Sequence, residues 1–556
     1  MISHPRFRKG LPTDPSLRDT AEAIVEAVLE HLPFWATDLG LHQWDDQLPD
    51  LQPGALDAFA RRLRALGSRL EGIDPRRLSN DDRADWVTLR HAVGGVLHEL
   101  EVERPFARDP NWYNSVVSQS LLLLARRRYA APEVRAEALV RRLEGVPHLL
   151  AQGEQLLDNP PAVWVEVALR QFPATLPFLR DGLASVFSER PELAAKVAEA
   201  GGEAAHAFEH FAAFLAERWR GRGDGDYRLG EERFRQRLFW QEGIDTSIPV
   251  LEAEGERELA RLQEAWREVA GRLGPGLSPR ELMAEIGRHH PPADRLLAEA
   301  RGVLGELRQF CETNALLTIP AAPDPAVVET PGFLRAITFA SIDPPGPFED
   351  QATEAYYQIT LPDPASSPAD QEAHLEGYNP WGIRVISAHE VYPGHYVQYL
   401  RLPDAVSSIR KTFGAGAFVE GWAHYTEELL WEAGYHTADP DRFRLVQLME
   451  ALERVGRYLV AIRMHCRGMS VEEAEAFFGE QCFMAPINAR REALRGTMDP
   501  LYLIYTLGKL RILAMRERAR KQWGAAFSYR RFHDALLSHG FPMLPVLESL
   551  LFADPA

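Results

Sequence analysis

Two histidines six residues apart with Pro-Gly between them constrain this 556-residue chain more than any other stretch: His389-Glu390-Val391-Tyr392-Pro393-Gly394-His395. On an unbroken helix, at roughly 100° per residue, the second imidazole would point about 240° away from the first. Two rings so placed cannot meet one ion. Pro393 removes a backbone donor and clashes with the preceding turn, while Gly394 permits backbone angles closed to other residues. A kink or bulge there can bring His395 back to the His389 side. An interior proline costs about 3 kcal/mol or more, whereas structural zinc in small peptides returns about 10–16 kcal/mol, so a metal can offset the distortion. Without one, the stretch reads as a helix ending at Tyr392 with two imidazoles near its turn.

Neutral imidazole is a favoured zinc ligand, and a carboxylate beside the first ligand is the base that metal-assisted hydrolysis requires. Twenty-five residues after His395, the segment Phe418-Val419-Glu420-Gly421-Trp422-Ala423-His424-Tyr425 offers Glu420 as a third ligand. One zinc ion on His389, His395 and Glu420 keeps a fourth position for water, and Glu390 is then the expected general base. His424, four residues after Glu420, shares its helical face. It can orient a ligand, bond the transition state, replace Glu420, or simply pack. Tyr505 is a candidate donor to a tetrahedral oxyanion, with Tyr502, Tyr392 and Tyr425 competing for that part. Arg384, Arg495 and Lys509 are candidate receptors for a substrate carboxylate.

Most of the chain carries helical periodicity. Ile24, Val25, Val28, Leu29 and Leu32 recur at helical spacing before Pro33, and Leu56, Phe59, Leu63, Leu66 and Leu70 repeat the pattern. Similar stretches cover about 81–103, 132–157, 177–220, 246–273, 500–520 and 529–538. Asn379-Pro380 starts the His389 helix, Gly414-Ala415-Gly416 precedes the Glu420 helix, and Ser470 with Glu473 forms a capping-box pattern. The texture changes from Pro320 to Pro347, where Pro and Gly are frequent. Ala336–Ala340 and Ala355–Leu361 read there as two short strands. The expected architecture is mainly α with a small β-sheet. Residues 1–318 form an N-terminal helical region and 319–556 a catalytic region, joined as one continuous unit.

The net charge of −18 supplies no basic footprint for nucleic acid. There is no run of eighteen apolar residues to span a membrane. The basic start, Met1 to Lys9, is not followed by an apolar segment, and Cys311, Cys466 and Cys482 are odd in number and far apart. These features lead to the expectation of a cytoplasmic protein without disulfides.

The His-Glu…Pro-Gly-His core followed by Glu420-Gly421-Trp422-Ala423 resembles the bacterial family known as domain of unknown function 885. Trp35-Ala36-Thr37-Asp38-Leu39-Gly40-Leu41-His42 is similar to that family's N-terminal segment. Asp499–Lys509 and Phe532-His533-Asp534-Ala535-Leu536-Leu537 are similar to its C-terminal segments. The resemblance implies a helical fold of the zincin-like metallopeptidase group, with an active-site helix pair and a central cleft. It also implies His389, His395 and Glu420 as ligands and Glu390 as catalytic. Many relatives carry Pro-Gly-Gln-Ala before the tyrosine matching Tyr505, whereas this chain has Asp499-Pro500-Leu501-Tyr502.

The leading expectation is a zinc peptidase of carboxypeptidase or oligopeptidase type, acting on a peptide or small amide. A metal-dependent amide or ester hydrolase of specialised metabolism is the alternative. A non-catalytic helical binding protein is a third reading. A di-iron bundle would need paired Glu-x-x-His motifs, and only Glu203-Ala204-Ala205-His206 has that spacing.

Overall fold

The computed structural model describes residues 2–331, 335, 338–435 and 439–553. It is mainly helical and divides into two compact units. The first comprises Met1–Tyr227 with Pro345–Thr353 and Val406–Phe413; the second comprises Arg228–Pro344, Glu354–Ala405 and Gly414–Ala556. Residues 228–318, expected with the N-terminal region, therefore lie in the second unit.

Most helices of the first unit open on proline or a capping side chain. Asp14 accepts from Leu17 N at the head of Pro15–His31, and Ser79 accepts from Asp82 N before Asn80–His98. Such caps satisfy amides that have no intrahelical partner. The apolar stripe read from sequence faces inward: Ile24, Val28, Leu63 and Leu89 share one core cluster. Leu121, Leu143, Phe172 and Phe208 share another. The stretch expected as one helix over 177–220 is broken, with a short π-type turn at Phe178–Gly182 and a long helix only from Pro191–Arg218. Pro191 provides the reason, since it lacks a donor and occupies the first turn of the new helix.

In the second unit a three-stranded sheet accompanies the helices. β1 (Ala326–Glu329) runs parallel to the central β3 (Tyr356–Ile359), and β2 (Ala340–Asp343) runs antiparallel to it, with Val327 and Ile342 both opposite Tyr357. β1 was not anticipated. Of the strand expected at Ala336–Ala340, Ala336 and Ile337 lie outside the described residues, and Ala340 begins β2. The sheet is tied to the His389 helix, Pro380–Glu390, by the Tyr357 hydroxyl, 3.1 Å from Ser387 Oγ. Asn379 caps that helix by accepting from Gly382 N, and Ser470 with Glu473 completes the expected capping box.

Two glycines decide how closely the Glu420 helix, Gly416–Glu432, approaches the Tyr505 helix, Ile504–Trp523. A β-carbon on Gly508 would lie 1.8 Å from Ala417 O, and one on Gly421 would lie 2.4 Å from Gly508 Cα. The two backbones touch there. Only glycine allows it.

Candidate metal centre

The His389 helix ends at Glu390, and a new helix starts at His395. Between them the chain turns tightly enough that a β-carbon on Gly394 would sit 1.8 Å from His389 O. The Tyr392-Pro393 peptide bond is cis. Trp422, from the Glu420 helix, donates its indole N–H to Pro393 O at 3.0 Å. Thr426 Oγ1, which donates to Ala423 O of its own helix at 2.7 Å, lies 3.3 Å from Ala388 O. The indole bond fastens the kink to the Glu420 helix.

This places the two imidazole rings 4.8 Å apart and nearly perpendicular. Glu420 Oε2 lies 3.5 Å from His389 Nε2 and 3.4 Å from His395 Nε2. One ligand atom from each of His389, His395 and Glu420 falls within 4.8 Å of the others. The opposite ring nitrogens are occupied: His389 Nδ1 lies 2.7 Å from Glu427 Oε1, and His395 Nδ1 lies 3.1 Å from Gln398 Oε1. With Nδ1–H donated to these acceptors, each ring turns its Nε2 toward Glu420.

The separations discriminate between two uses of the cluster. A good N–H···O hydrogen bond spans about 2.7–3.2 Å. Two ligands bound at about 2.1 Å to one tetrahedral ion lie about 3.4 Å apart. The two Glu420–imidazole separations, 3.5 and 3.4 Å, are near the second value, within a cluster whose ligand atoms lie no more than 4.8 Å apart. The residues present fit a single cation of the zinc class.

Charge inside the centre is balanced locally. Burial disfavours charge on His389, but Glu420 and Glu427 outweigh it and raise its pKa to about 9. Burial also opposes ionisation of Glu420, yet His395 and His389 hold it well below the usual carboxylate range. Glu427 behaves likewise: Arg454, with the hydrogen bonds from the His389 and His424 rings, overcomes its burial and keeps it ionised. Burial pushes the Glu390 carboxyl up, the neighbouring imidazoles acting against it. Glu390 Oε2 accepts the Ile342 N–H of β2 at 3.0 Å.

His424 is fully buried and outside the ligand cluster; its Nδ1 lies 3.2 Å from Glu427 Oε2. Burial, aided by Lys509, lowers its pKa to about 3, so it is neutral. Of the four tyrosines weighed from sequence, Tyr505 stands beside the centre, its ring 6.4 Å from that of His389 and 21° from parallel. Burial, with Glu420 nearby, pushes its hydroxyl up to about 12. Tyr392 donates instead to Asp324, Tyr425 lies against His533 and Arg516, and Tyr502 is wholly buried. Among the candidate cations, Lys509 is completely buried against Glu428 at 2.5 Å, and Arg384 pairs with Glu306 at 2.8 Å. Glu203 and His206 are exposed on one helix.

Glu427 and Gln398 were not anticipated from sequence. Spacing carries a faint signal for each: Glu427 lies two helical turns after Glu420, and Gln398 one turn after His395.

A family model described as a bacterial protein of unknown function (DUF885) matches residues 33–551. The chain belongs to DUF885. The fold of this DUF885 chain recurs in two solved structures. One, described as a "putative lipoprotein of unknown function" from Shewanella oneidensis, is 22% identical with a TM-score of 0.80, covering 97% of this chain and 100% of that one. The other, a "putative lipoprotein" from Colwellia psychrerythraea, is 19% identical with a TM-score of 0.81, covering 96% and 98%. No functionally curated protein matches.

These descriptions overturn the expected cytoplasmic placement. The physical basis of that expectation was weak. A helical core of this size is stable without disulfides, so three free thiols say little about compartment. Among the described residues, no helix is long and apolar enough to cross a membrane.

Proposed function

We propose that this DUF885 protein is a zinc-dependent hydrolase of peptide bonds, with a zincin-like helix pair at its active site. One observation carries the reading: two Nε2 atoms converge on a single Glu420 oxygen at the separation of co-ligands, while both Nδ1 atoms are held from behind. His389, His395 and Glu420 would hold the ion, which when bound supplies Lewis-acid activation of water and of the carbonyl under attack.

The chain's own groups do the rest. Glu390 takes a proton from the attacking water and returns it to the leaving amine. Its Oε2 is engaged by Ile342 N–H, which leaves Oε1 for that exchange. Burial raises the carboxyl's proton affinity, which suits a base working near neutral pH. Tyr505, protonated at any physiological pH, donates its hydroxyl hydrogen to the developing oxyanion. β2 lies at the sheet edge toward Glu390, where an extended peptide can align its main chain. The relatives described as lipoproteins favour an exported or membrane-attached protein as the bearer of this activity.

The test pairs elemental analysis with a peptide-library digest. The expected result is one zinc per chain, lost in His389→Ala, with cleavage products from the unmodified protein. Glu390→Gln should retain the zinc and lose about 10²–10⁴ in kcat. Metal without any cleavage of peptides, small amides or esters would favour a binding protein instead.

A further inference from the structure

Three arginines surround the Tyr505 ring, with guanidinium carbons 5.9 Å (Arg454), 5.2 Å (Arg457) and 5.9 Å (Arg495) from its centre. Two of them are themselves buried, with side chains only 10% and 9% exposed. Arg454 pairs with Glu427 at 3.3 Å and with Glu450 at 2.6 Å. Arg457 clasps Glu492 through two parallel bonds of 2.7 and 2.9 Å and reaches Glu453 at 2.5 Å.

Arg495 differs. Its side chain is 35% exposed, and so is 41% of its partner Asp499, one helical turn away. Both Nε and Nη2 go to the same oxygen, Asp499 Oδ2, at 3.2 and 3.0 Å, and Nη2 lies 3.4 Å from the Tyr505 hydroxyl. Among the described residues, its hydrogen bonds run through Nε and Nη2 and none through Nη1. The pair is part-buried but still reached by solvent on both sides, and an ion pair screened in that way contributes little.

Position adds the second argument. Arg495 stands one tyrosine away from the ligand cluster, in steps of 5.9 Å to the Tyr505 ring and 6.4 Å on to His389. In a C-terminal residue the carboxylate carbon lies only about 3.5 Å from the scissile carbonyl carbon. A cation that reads a terminal carboxylate must therefore stand close beside the reacting groups. Lys509 and Arg384 are already paired elsewhere.

We infer that Arg495 receives the terminal carboxylate of the substrate, and that the substrates are peptides or N-acylated amino acids cut at their last amide bond. The guanidinium fork takes a carboxylate through two parallel bonds, and Asp499 holds that place until substrate displaces it. The cleavage part of this inference rests on the peptidase reading; the binding part does not.

The experiment uses full-length, zinc-loaded protein carrying Glu390→Gln, so that the probes persist. Calorimetry compares N-benzoyl-glycyl-phenylalanine with its C-terminal amide. The free acid should bind at least tenfold tighter. Arg495→Gln should collapse that ratio toward one, Arg495→Lys should keep part of it, and Asp499→Asn should tighten the acid several-fold while leaving the amide alone. A purely structural arginine would weaken both probes alike. Equal affinities, a ratio that survives Arg495→Gln, or no binding of either probe would overturn the inference. Arg495-dependent acid binding without turnover by the unmodified holoenzyme would instead overturn the peptidase reading alone. Equal turnover of acid and amide, with no binding preference, would overturn the carboxylate assignment alone.

Discussion

His389 Nδ1 lies 2.7 Å from Glu427 Oε1, inside a buried group that also takes in His424 and Arg454. The carboxylate does two things at once. It fixes the tautomer that exposes Nε2, and it sets the angle at which the ring faces Glu420. Arg454 keeps it charged where burial alone would neutralise it.

Glu427→Gln should therefore lower zinc affinity about 10–100-fold while leaving all three ligands in place. Competition against a chromophoric chelator measures this directly. An unchanged affinity would assign Glu427 to packing alone.

Gly394→Ala should be among the most damaging single substitutions in the second unit. Its β-carbon would meet His389 O at 1.8 Å and Ala388 O at 2.4 Å, both backbone atoms that cannot swing away. The turn must open, separating His395 from His389. A loss of at least about 2–3 kcal/mol in denaturant unfolding is expected, with substoichiometric zinc in whatever folds.

Tyr505→Phe removes one hydroxyl from the wall of the centre without touching a ligand. Retained zinc with kcat reduced about 10²–10³-fold is the expected outcome if the hydroxyl meets the oxyanion. A drop in binding with unchanged kcat would move its role to substrate placement beside Arg495.

In the first unit, His42 offers a pH test independent of the metal. Its ring nitrogens lie 2.8 Å from Asp45 and 3.1 Å from Glu349, and its ring stacks on Tyr129. Burial opposes its charge, but the bonds to Asp45 and Glu349 prevail and raise its pKa to about 9. The folded-state pKa exceeds the unfolded value near 6.5, so the stabilisation is complete below that value. It disappears as pH rises through about 9. The stability difference between the unmodified protein and His42→Gln should accordingly shrink between about pH 6.5 and 9, by on the order of 1–3 kcal/mol. Parallel unfolding curves across that range would show that His42 is not charged in the fold.

Much of the centre was readable from local pattern. The His-Glu…Pro-Gly-His spacing demanded a bend, and the structure places that bend where Gly394 lies against His389 O. Glu420 was legible from its place twenty-five residues after His395 and from the family-like segment Glu420-Gly421-Trp422-Ala423. Glu427 was not. It is one of two adjacent glutamates in Thr426-Glu427-Glu428, and nothing local says that one faces a histidine while the next meets Lys509 and Arg444. The three basic candidates for a carboxylate were equally indistinguishable in sequence, since charge type carries no record of which partner folds against it. β1 is not legible in sequence because its four residues hold too little periodicity to rise above a proline-rich surrounding.

The amino-acid order alone determined the helical character of the chain, the positions of its caps, the necessary break at Pro393-Gly394 and the residue types available to bind a metal. These follow from short-range sterics and periodicity, which act within a few residues. Only the tertiary structure decided which carboxylate lies behind His389, which tyrosine stands beside it and which arginine stays partly open to solvent. Those outcomes depend on how closely whole helices approach, a distance set at contacts such as Gly421 on Gly508 and Trp422 on Pro393, between residues far apart in the chain.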